Sequence, residues 1–110
     1  MAERPAPIDG SAADSLDLSY RRVAEMFAAL ASPVRAAIIH LLSVEERTVG
    51  AIVDALGISQ PLASQHLRIL RTAGLVDVER VGRTSVHRLA DEHVAHIFLD
   101  ALQHSREAPG

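Results

Sequence analysis

The sequence contains no cysteine in its 110 residues. This absence excludes disulfide bonds, cysteine nucleophiles and thiolate metal sites, so a transition-metal site can use only nitrogen and oxygen ligands. Tryptophan is also absent, and aromatic residues make up only 3% of a chain that is 48% hydrophobic. Because alanine, leucine and valine supply most of the hydrophobic residues, the composition favours packed helices over a large sheet.

No apolar stretch approaches the ~20 residues that a membrane-spanning helix requires. Residues 1–15 contain charges and prolines where a secretory signal would need an apolar stretch. We therefore expect a cytoplasmic protein with no membrane partner, in which residues 1–15 form a disordered N-terminal arm. Residues 16–108 are expected to form one domain, and a chain of this size gains stability from assembly as a homodimer.

Lysine is absent as well, so arginine provides all the positively charged side chains. The net charge is −3, but the charges are unevenly distributed. Residues 59–88 contain five arginines against Asp77 and Glu79, whereas the rest of the chain contains six arginines against twelve acidic residues. Because arginine makes forked contacts to phosphate and guanine, a basic segment inside an acidic chain is compatible with DNA binding.

Capping residues and glycines predict where the first four helices begin and end. Apolar residues at helical spacing from Tyr20 onwards indicate the first helix, and Ser32, followed by proline, opens the second. Thr48 caps a short third helix that Gly57 ends, because glycine tolerates the left-handed conformation. Ser59 then caps a fourth helix.

The pattern next changes from helical to alternating. Residues 76–81 and 84–89 alternate apolar and polar side chains around a glycine turn, which predicts a β-hairpin. A last helix is expected from about Asp91 to Arg106. A short helix, a tight turn, a longer helix and a hairpin form the layout of a winged helix-turn-helix, so the expected fold class is mostly α with a small β-hairpin.

The fourth helix has a polar face that can read DNA. An α-helix fits the major groove, where Gln, Ser and Arg reach base edges while neighbouring arginines hold phosphates. A solvated surface is the commoner role of such a face in any single helix, but the short helix before it and the basic hairpin after it favour DNA binding. The candidate groove-facing residues are Gln60, Ser64, Gln65 and Arg68, and the candidate phosphate contacts are Arg71, Arg80 and Arg83.

Linked motifs give the chain a resemblance to a known family. They are ALASPVR at residues 29–35, SQPLASQHL at residues 59–67 and LRTAGLV at residues 70–76. Over most of its length the chain resembles the ArsR/SmtB family of metal-responsive transcriptional repressors. The resemblance implies dimers whose first and last helices form the interface, and repression of genes for metal export, uptake or detoxification. His87 departs from the family pattern, which often has an aromatic residue there.

The last helix carries two histidines on one face. His93 and His104 are three turns apart, and a rise of ~1.5 Å per residue separates them by ~16 Å, so one ion cannot join them within a chain. If two copies of the helix pack antiparallel across a two-fold axis, His93 lies beside the partner's His104. Asp91 and Glu107 then fall near the same point, and Ile97 lies between the histidines as a dimer seam requires.

This arrangement gives two symmetric sites per dimer, each with two nitrogen and two oxygen ligands. Four such ligands with no open position suit tetrahedral Zn²⁺ and argue against catalysis. The expected ligands are Asp91, His93, His104 and Glu107, and their spacing matches the last-helix zinc site that the resemblance implies, in which the final ligand is commonly histidine. Asp91 can instead be a helix cap, and Glu107 a solvated end residue. His96 as a fifth ligand would shift the preference to Ni²⁺ or Co²⁺, and otherwise it is a surface or interface residue.

These features predict a repressor whose metal-free dimer holds double-stranded operator DNA and releases it when Zn²⁺ binds between the last helices. The resemblance implies a route in which His104 donates a hydrogen bond towards the backbone near His66. The alternative is a winged-helix regulator that senses Ni²⁺, Co²⁺ or a non-metal signal and uses its last helix only as a dimer interface. An enzyme with a small organic substrate is not expected, because Glu92, His93 and His96 lack the spacing of a zinc hydrolase helix.

Overall fold

A computed structural model describes residues 17–107 of the chain. Within this range it has five helices and three strands, in the order α1 Leu18–Leu30, α2 Pro33–Val44, β1 Arg47–Thr48, α3 Val49–Leu56, α4 Gln60–Thr72, β2 Val76–Val81, β3 Thr84–Leu89 and α5 Glu92–Glu107. The mostly helical fold with a small hairpin is confirmed. The expected arm at residues 1–15 and both ends of the expected domain, residues 16 and 108, lie outside the described residues. No single helix in the described range is long and apolar enough to cross a membrane, although α1 and α2, bent at 97°, reach that length and composition together.

Side-chain caps begin the helices at the predicted positions. Ser32, Thr48 and Ser59 each accept a hydrogen bond from an amide of the first helical turn, at 3.3, 3.1 and 3.3 Å respectively. Each bond satisfies one of the amide groups that have no partner within the helix itself. The short helix α3 ends as predicted at Gly57, whose φ of 66° lies in the left-handed region. These local signals place α3 and α4 in helix-turn-helix order.

The predicted hairpin forms, and a short strand that the sequence did not predict joins it. β2 and β3 pair in antiparallel register, from Val76 opposite Leu89 to Val81 opposite Thr84. β1 pairs with the other edge of β3 and completes a sheet of order β1-β3-β2. A strand of two residues is too short to show alternation, so only its pairing partner identifies it.

The core is built mainly by the helices α2, α3 and α4. Ile38 of α2 and Ile52 of α3 are completely buried, and on α4 Ala63, Leu67 and Leu70 are all buried. Burying these side chains contributes roughly 1.5–3 kcal/mol for each large aliphatic residue. The apolar side of α4 is therefore fixed against the domain, and its opposite side is left to solvent.

Among residues 17–107, His87 of β3 is the one polar residue that is buried, with 4% of its surface exposed. Its Nδ1 atom is enclosed without a hydrogen-bond partner in this part of the chain. Burial lowers the pKa of His87 from the ordinary value of 6.5, the positive charge of Arg71 lowers it further, and a hydrogen bond to the Arg47 backbone acts in the opposite direction. The imidazole is therefore held neutral, in the position where the resemblance implies an aromatic residue.

We predict that acidification destabilises the fold through His87. The unfolded chain binds a proton at His87 near pH 6.5, whereas the folded chain does so only at lower pH. The contribution of neutral His87 to the free energy of unfolding is therefore complete above pH 6.5 and decreases as the pH falls below it. In urea unfolding between about pH 7 and pH 5, His87→Phe should make this pH dependence shallower, while His96→Gln at an exposed position should keep it. Equal pH dependence in the wild type and in His87→Phe would contradict the role of burial.

Candidate functional site

The outer side of α4 carries hydrogen-bonding and positively charged side chains. All four residues predicted to face a DNA groove are exposed, and so is Arg71. None of the five belongs to the buried side of the helix, which consists of Ala63, Leu67 and Leu70. The exposed set therefore lies together on one helix. Its members are Gln60, Ser64, Gln65, Arg68 and Arg71.

The hairpin adds further positive charge beside α4. Arg80 and Arg83 are both exposed, and Arg80 Nε donates to a carbonyl of the turn at 3.1 Å. Arg88 differs, because it forms ion pairs with Glu79 and, at 3.6 Å, with Glu46. The hydrogen bond and charge of Glu79 raise the pKa of Arg88. Within the hairpin, Arg80 and Arg83 are thus better suited than Arg88 to contact an external anion.

A polar cleft of about 220 Å³ connects α4 with the hairpin. Ser64, Arg68 and Arg71 line it from the helix, and Ser85 lines it from β3. The lining of this cleft includes no carboxylate, and its guanidinium and hydroxyl groups are donors that suit phosphate oxygens. The fold therefore brings the predicted base-reading face and the predicted backbone-contacting hairpin to one surface.

The helices α1 and α5 carry a second exposed surface, which is apolar. A cavity of about 220 Å³ lies there, lined by Val23, Phe27 and Ile97 together with Asp91 and His93. A contiguous apolar patch on a small domain is typical of an interaction site. We call this surface the α1–α5 face, and its large exposed residues are Val23, Phe27 and Ile97, together with Tyr20, which lies on the same side of α1 as Phe27.

The four predicted metal ligands lie at the two ends of α5. The His93 side chain is 87% exposed, and His104 and Glu107 are exposed as well. Glu107 accepts a hydrogen bond from Gln103 at 3.0 Å. Within residues 17–107 of a single chain, no three His, Cys, Asp or Glu residues come together as a group that could hold a metal ion. The site shared by two chains stays a prediction.

Asp91 acts as a helix cap in the single chain. Its Oδ1 accepts hydrogen bonds from the amides of His93 at 2.9 Å and Val94 at 3.2 Å. The same oxygen lies 3.4 Å from His93 Nδ1. Of the two roles that the sequence left open for Asp91, capping is therefore the one present in these contacts, and metal ligation stays a prediction.

Two contacts of other histidines were missing from the sequence analysis. His66 Nδ1 lies 3.2 Å from Arg35 Nη1, so α4 is linked to α2 through side chains. His40 of α2 lies against Phe98 of α5, with ring centroids 5.7 Å apart. Both contacts join residues far apart in the chain, and no local spacing signals such contacts. In the sequence, Arg35 is marked only by its place in the motif at residues 29–35.

Comparisons with known proteins agree with this arrangement. Residues 32–78 match the model of the arsR family of bacterial regulatory proteins. The HTH-type transcriptional repressor SmtB of Mycobacterium tuberculosis is 54% identical over 83 residues, which are 76% of this chain and 62% of that protein. This chain therefore spans less than two thirds of that relative's length. The cadmium resistance transcriptional regulatory protein CadC homolog of Staphylococcus aureus is 35% identical over 77% of this chain and 71% of its own.

A solved structure has the same architecture. It is the winged helix-turn-helix DNA-binding domain of Mb0332 from Mycobacterium bovis, described as homodimeric and as a possible ArsR-family transcriptional regulator. It superposes with a TM-score of 0.78 at 36% identity, over 82% of this chain and 83% of that one. The relatives are transcriptional regulators and not enzymes, as expected from the sequence. Motifs, fold and relatives agree, and the chain belongs to the ArsR family of bacterial regulatory proteins.

Proposed function

We propose that this chain is a metal-responsive transcriptional repressor. Its metal-free homodimer binds double-stranded operator DNA, and the DNA is released when Zn²⁺ is bound between the two last helices. The observation that carries the proposal is that His93, Ile97 and His104, which share one stripe of α5, are all exposed, while Val94 is buried against the domain. A helix with exposed metal-binding and apolar side chains on one stripe is suited to pair with a second copy of itself.

The DNA interface is formed by the outer side of α4 and the hairpin. Gln60, Ser64, Gln65 and Arg68 are suited to base edges in the major groove, because amide, hydroxyl and guanidinium groups match the donor and acceptor pattern of the bases. Arg71, Arg80 and Arg83 are suited to phosphates on either side, which fix the register. The cleft between α4 and β3 supports this division, since Arg68 and Arg71 of α4 line it together with Ser85 of the hairpin.

The dimer interface is the α1–α5 face. Its exposed residues include Phe27 at 57%, Tyr20 at 64% and Ile97 at 51%, which is costly for a free domain in water. A second copy that covers this face would remove these side chains from solvent. The solved relative that is described as homodimeric supports assembly as a homodimer.

The donor set fits a zinc site that two chains share. His93 and His104 supply nitrogen, Asp91 and Glu107 supply oxygen, and all four are exposed. Because ~16 Å of helix separates the two histidines, each site takes its ligands from both copies. If Zn²⁺ were bound, these four side chains would hold it and the ion would cross-link the two chains. The cadmium resistance named for one relative supports a metal signal of this general kind.

Release of DNA follows from the dimer geometry. Two-fold dimers of this class read half-sites ~34 Å apart, so the distance between the two α4 helices decides affinity. If His93 and the partner's His104 held one ion at each end of the seam, a single arrangement of the two α5 helices would be favoured. An arrangement in which the α4 helices no longer match two grooves binds DNA more weakly. By linkage, DNA weakens metal binding by the same factor.

A second candidate function is favoured by the contacts of Asp91. Its Oδ1 is engaged as the cap of α5, which is a complete role without any metal. In this alternative the last helix is only a dimer interface and the regulator senses another signal. The exposed His96 would instead favour Ni²⁺ or Co²⁺ if it adds a ligand. Uptake of about one Zn²⁺ per chain supports the zinc repressor, and no uptake supports the non-metal alternative.

We predict that the two hairpin arginines Arg83 and Arg88 differ in their contribution to DNA binding. Arg83→Ala should reduce the slope of log affinity against log salt concentration by about one per chain, because a phosphate contact is lost. Arg88→Ala is the matched control, since Arg88 is already paired with Glu79 and Glu46 and its loss should leave the slope nearly unchanged. Fluorescence anisotropy with labelled duplex at several salt concentrations measures both slopes. A smaller effect for Arg83→Ala than for Arg88→Ala would contradict the proposed interface.

The zinc response should depend on His104 and not on His96. In the wild type, Zn²⁺ should weaken operator binding by about 5- to 150-fold, the usual range of allosteric coupling. His104→Ala should bind operator normally without metal but lose this response, because one nitrogen ligand of each shared site is gone. His96→Ala, on the same helix, should respond like the wild type. Operator affinity with and without Zn²⁺ decides the matter, and an unchanged response in His104→Ala would remove His104 from the mechanism.

A further inference from the structure

Arg35 connects three helices through its side chain. It lies in the first turn of α2, where its amide donates to the capping hydroxyl of Ser32. Its Nε atom donates to the carbonyl of Ala29 in α1 at 2.6 Å. Its Nη1 atom lies 3.2 Å from Nδ1 of His66 in α4. One guanidinium group thus bridges a helix of the α1–α5 face and the helix with the DNA-reading residues.

The bond to Ala29 fixes the guanidinium in place. The last carbonyls of a helix have no partner within the helix, and Ala29 is in the last turn of α1. No basic residue of α1 itself lies in this turn, so Arg35 supplies the positive charge that the carboxyl end of a helix favours. Ala29 is buried at 5% exposure, which shields the bond from water. Arg35 is therefore a fixed donor rather than a mobile surface cation.

The bond to His66 determines the state of the imidazole. Arginine can only donate hydrogen bonds, so His66 Nδ1 must be the acceptor and carry no proton. His66 is half-buried and lies between exposed Gln65 and buried Leu67 in sequence. At ~100° per residue, its side chain projects from the flank of α4, between the DNA-reading side and the core side. The Arg35 contact therefore acts on the edge of the helix.

A contact on the flank restrains rotation of α4 about its own axis. The buried residues of α4 hold it against the core, but apolar contacts have no preferred direction. A surface groove of about 450 Å³ also lies between α1 and α4, lined by Ala28, Ala29, Ile69 and Arg35 among others. Arg35 lies at this groove, and its hydrogen bonds to Ala29 of α1 and His66 of α4 are directional. A small rotation would turn the side chains of Gln65 and Arg68 away from the bases.

We propose that Arg35 is a positioning residue for DNA recognition, which sets the rotation of α4 through His66 and ties it to α1 of the dimer face. This inference rests on the proposed function, because it assumes that α4 reads DNA. It adds a residue that makes no contact with DNA or metal. It also connects α1, a helix of the α1–α5 face, to the DNA-reading helix through one side chain within a single chain.

The experiment compares affinities for two duplexes. The first is a duplex that the wild-type protein selects from a random-sequence library, and the second is a scrambled duplex of the same length. Arg35→Met and His66→Leu should each weaken binding to the selected duplex by about tenfold while leaving the scrambled duplex unaffected, because phosphate contacts do not depend on base alignment. The double variant should be no weaker than either single variant, since both changes remove the same bond. His66→Asn should stay close to the wild type, because its Oδ1 can accept from Arg35 in place of Nδ1.

Several results would overturn the inference. Equal losses on both duplexes would indicate a loss of folded protein rather than a loss of alignment, and additive losses would show that Arg35 and His66 act separately. If Arg35→Met does not fold, the test is the affinity of His66→Leu and His66→Asn for the selected duplex. Equal affinities of these two variants would reject the role of His66 as a hydrogen-bond acceptor. If the wild type selects no duplex, the proposed function itself fails. If the wild type selects a duplex and Arg35→Met binds it equally well, only this inference fails.

Discussion

The rise of the α-helix determines how this protein can use its last helix. His93 and His104 share one face of α5, but ~16 Å of helix lies between them. A single chain cannot bring them to one ion, and residues 17–107 contain no intrachain group of three metal-binding side chains. The same histidines, with the exposed Ile97 between them, are well placed for an antiparallel pair of helices. In this proposal, metal binding fixes the geometry of the dimer. The signal would therefore act on the spacing between the two α4 helices.

The proposed DNA-binding surface depends on how α4 is held. Buried Leu67 and Leu70 fix its apolar side, and the polar side is left exposed above a cleft shared with the hairpin. The bridge from Ala29 through Arg35 to His66 adds a directional restraint where the helices α1 and α4 leave space between them. A short chain of hydrogen bonds thus joins α1, which carries part of the apolar α1–α5 face, to α4, which carries the polar face.

Local signals were sufficient to predict most of the fold. Ser32, Thr48 and Ser59 cap helices as expected, because a cap depends only on residues three positions apart. The strand β1 and the Arg35–His66 contact were not predicted, because each depends on a partner distant in sequence. For the site, the exposed face of α4 followed from helical periodicity. The dual use of Asp91 did not, since the same carboxylate suits a cap and a metal ligand equally well, and only its surroundings distinguish the two.

The central claim, that each metal site takes ligands from two chains, can be tested by mixing two inactive variants. His93→Ala and His104→Ala homodimers should each lack tight zinc sites. After subunit exchange in an equimolar mixture, each mixed dimer regains one intact site, built from His93 of one chain and His104 of the other. Because about half of the dimers are then mixed, the mixture should bind about one ion per two dimers. Zinc binding measured before and after exchange should therefore rise from near zero to this level. No recovery on mixing, or tight zinc binding by either homodimer alone, would contradict the claim.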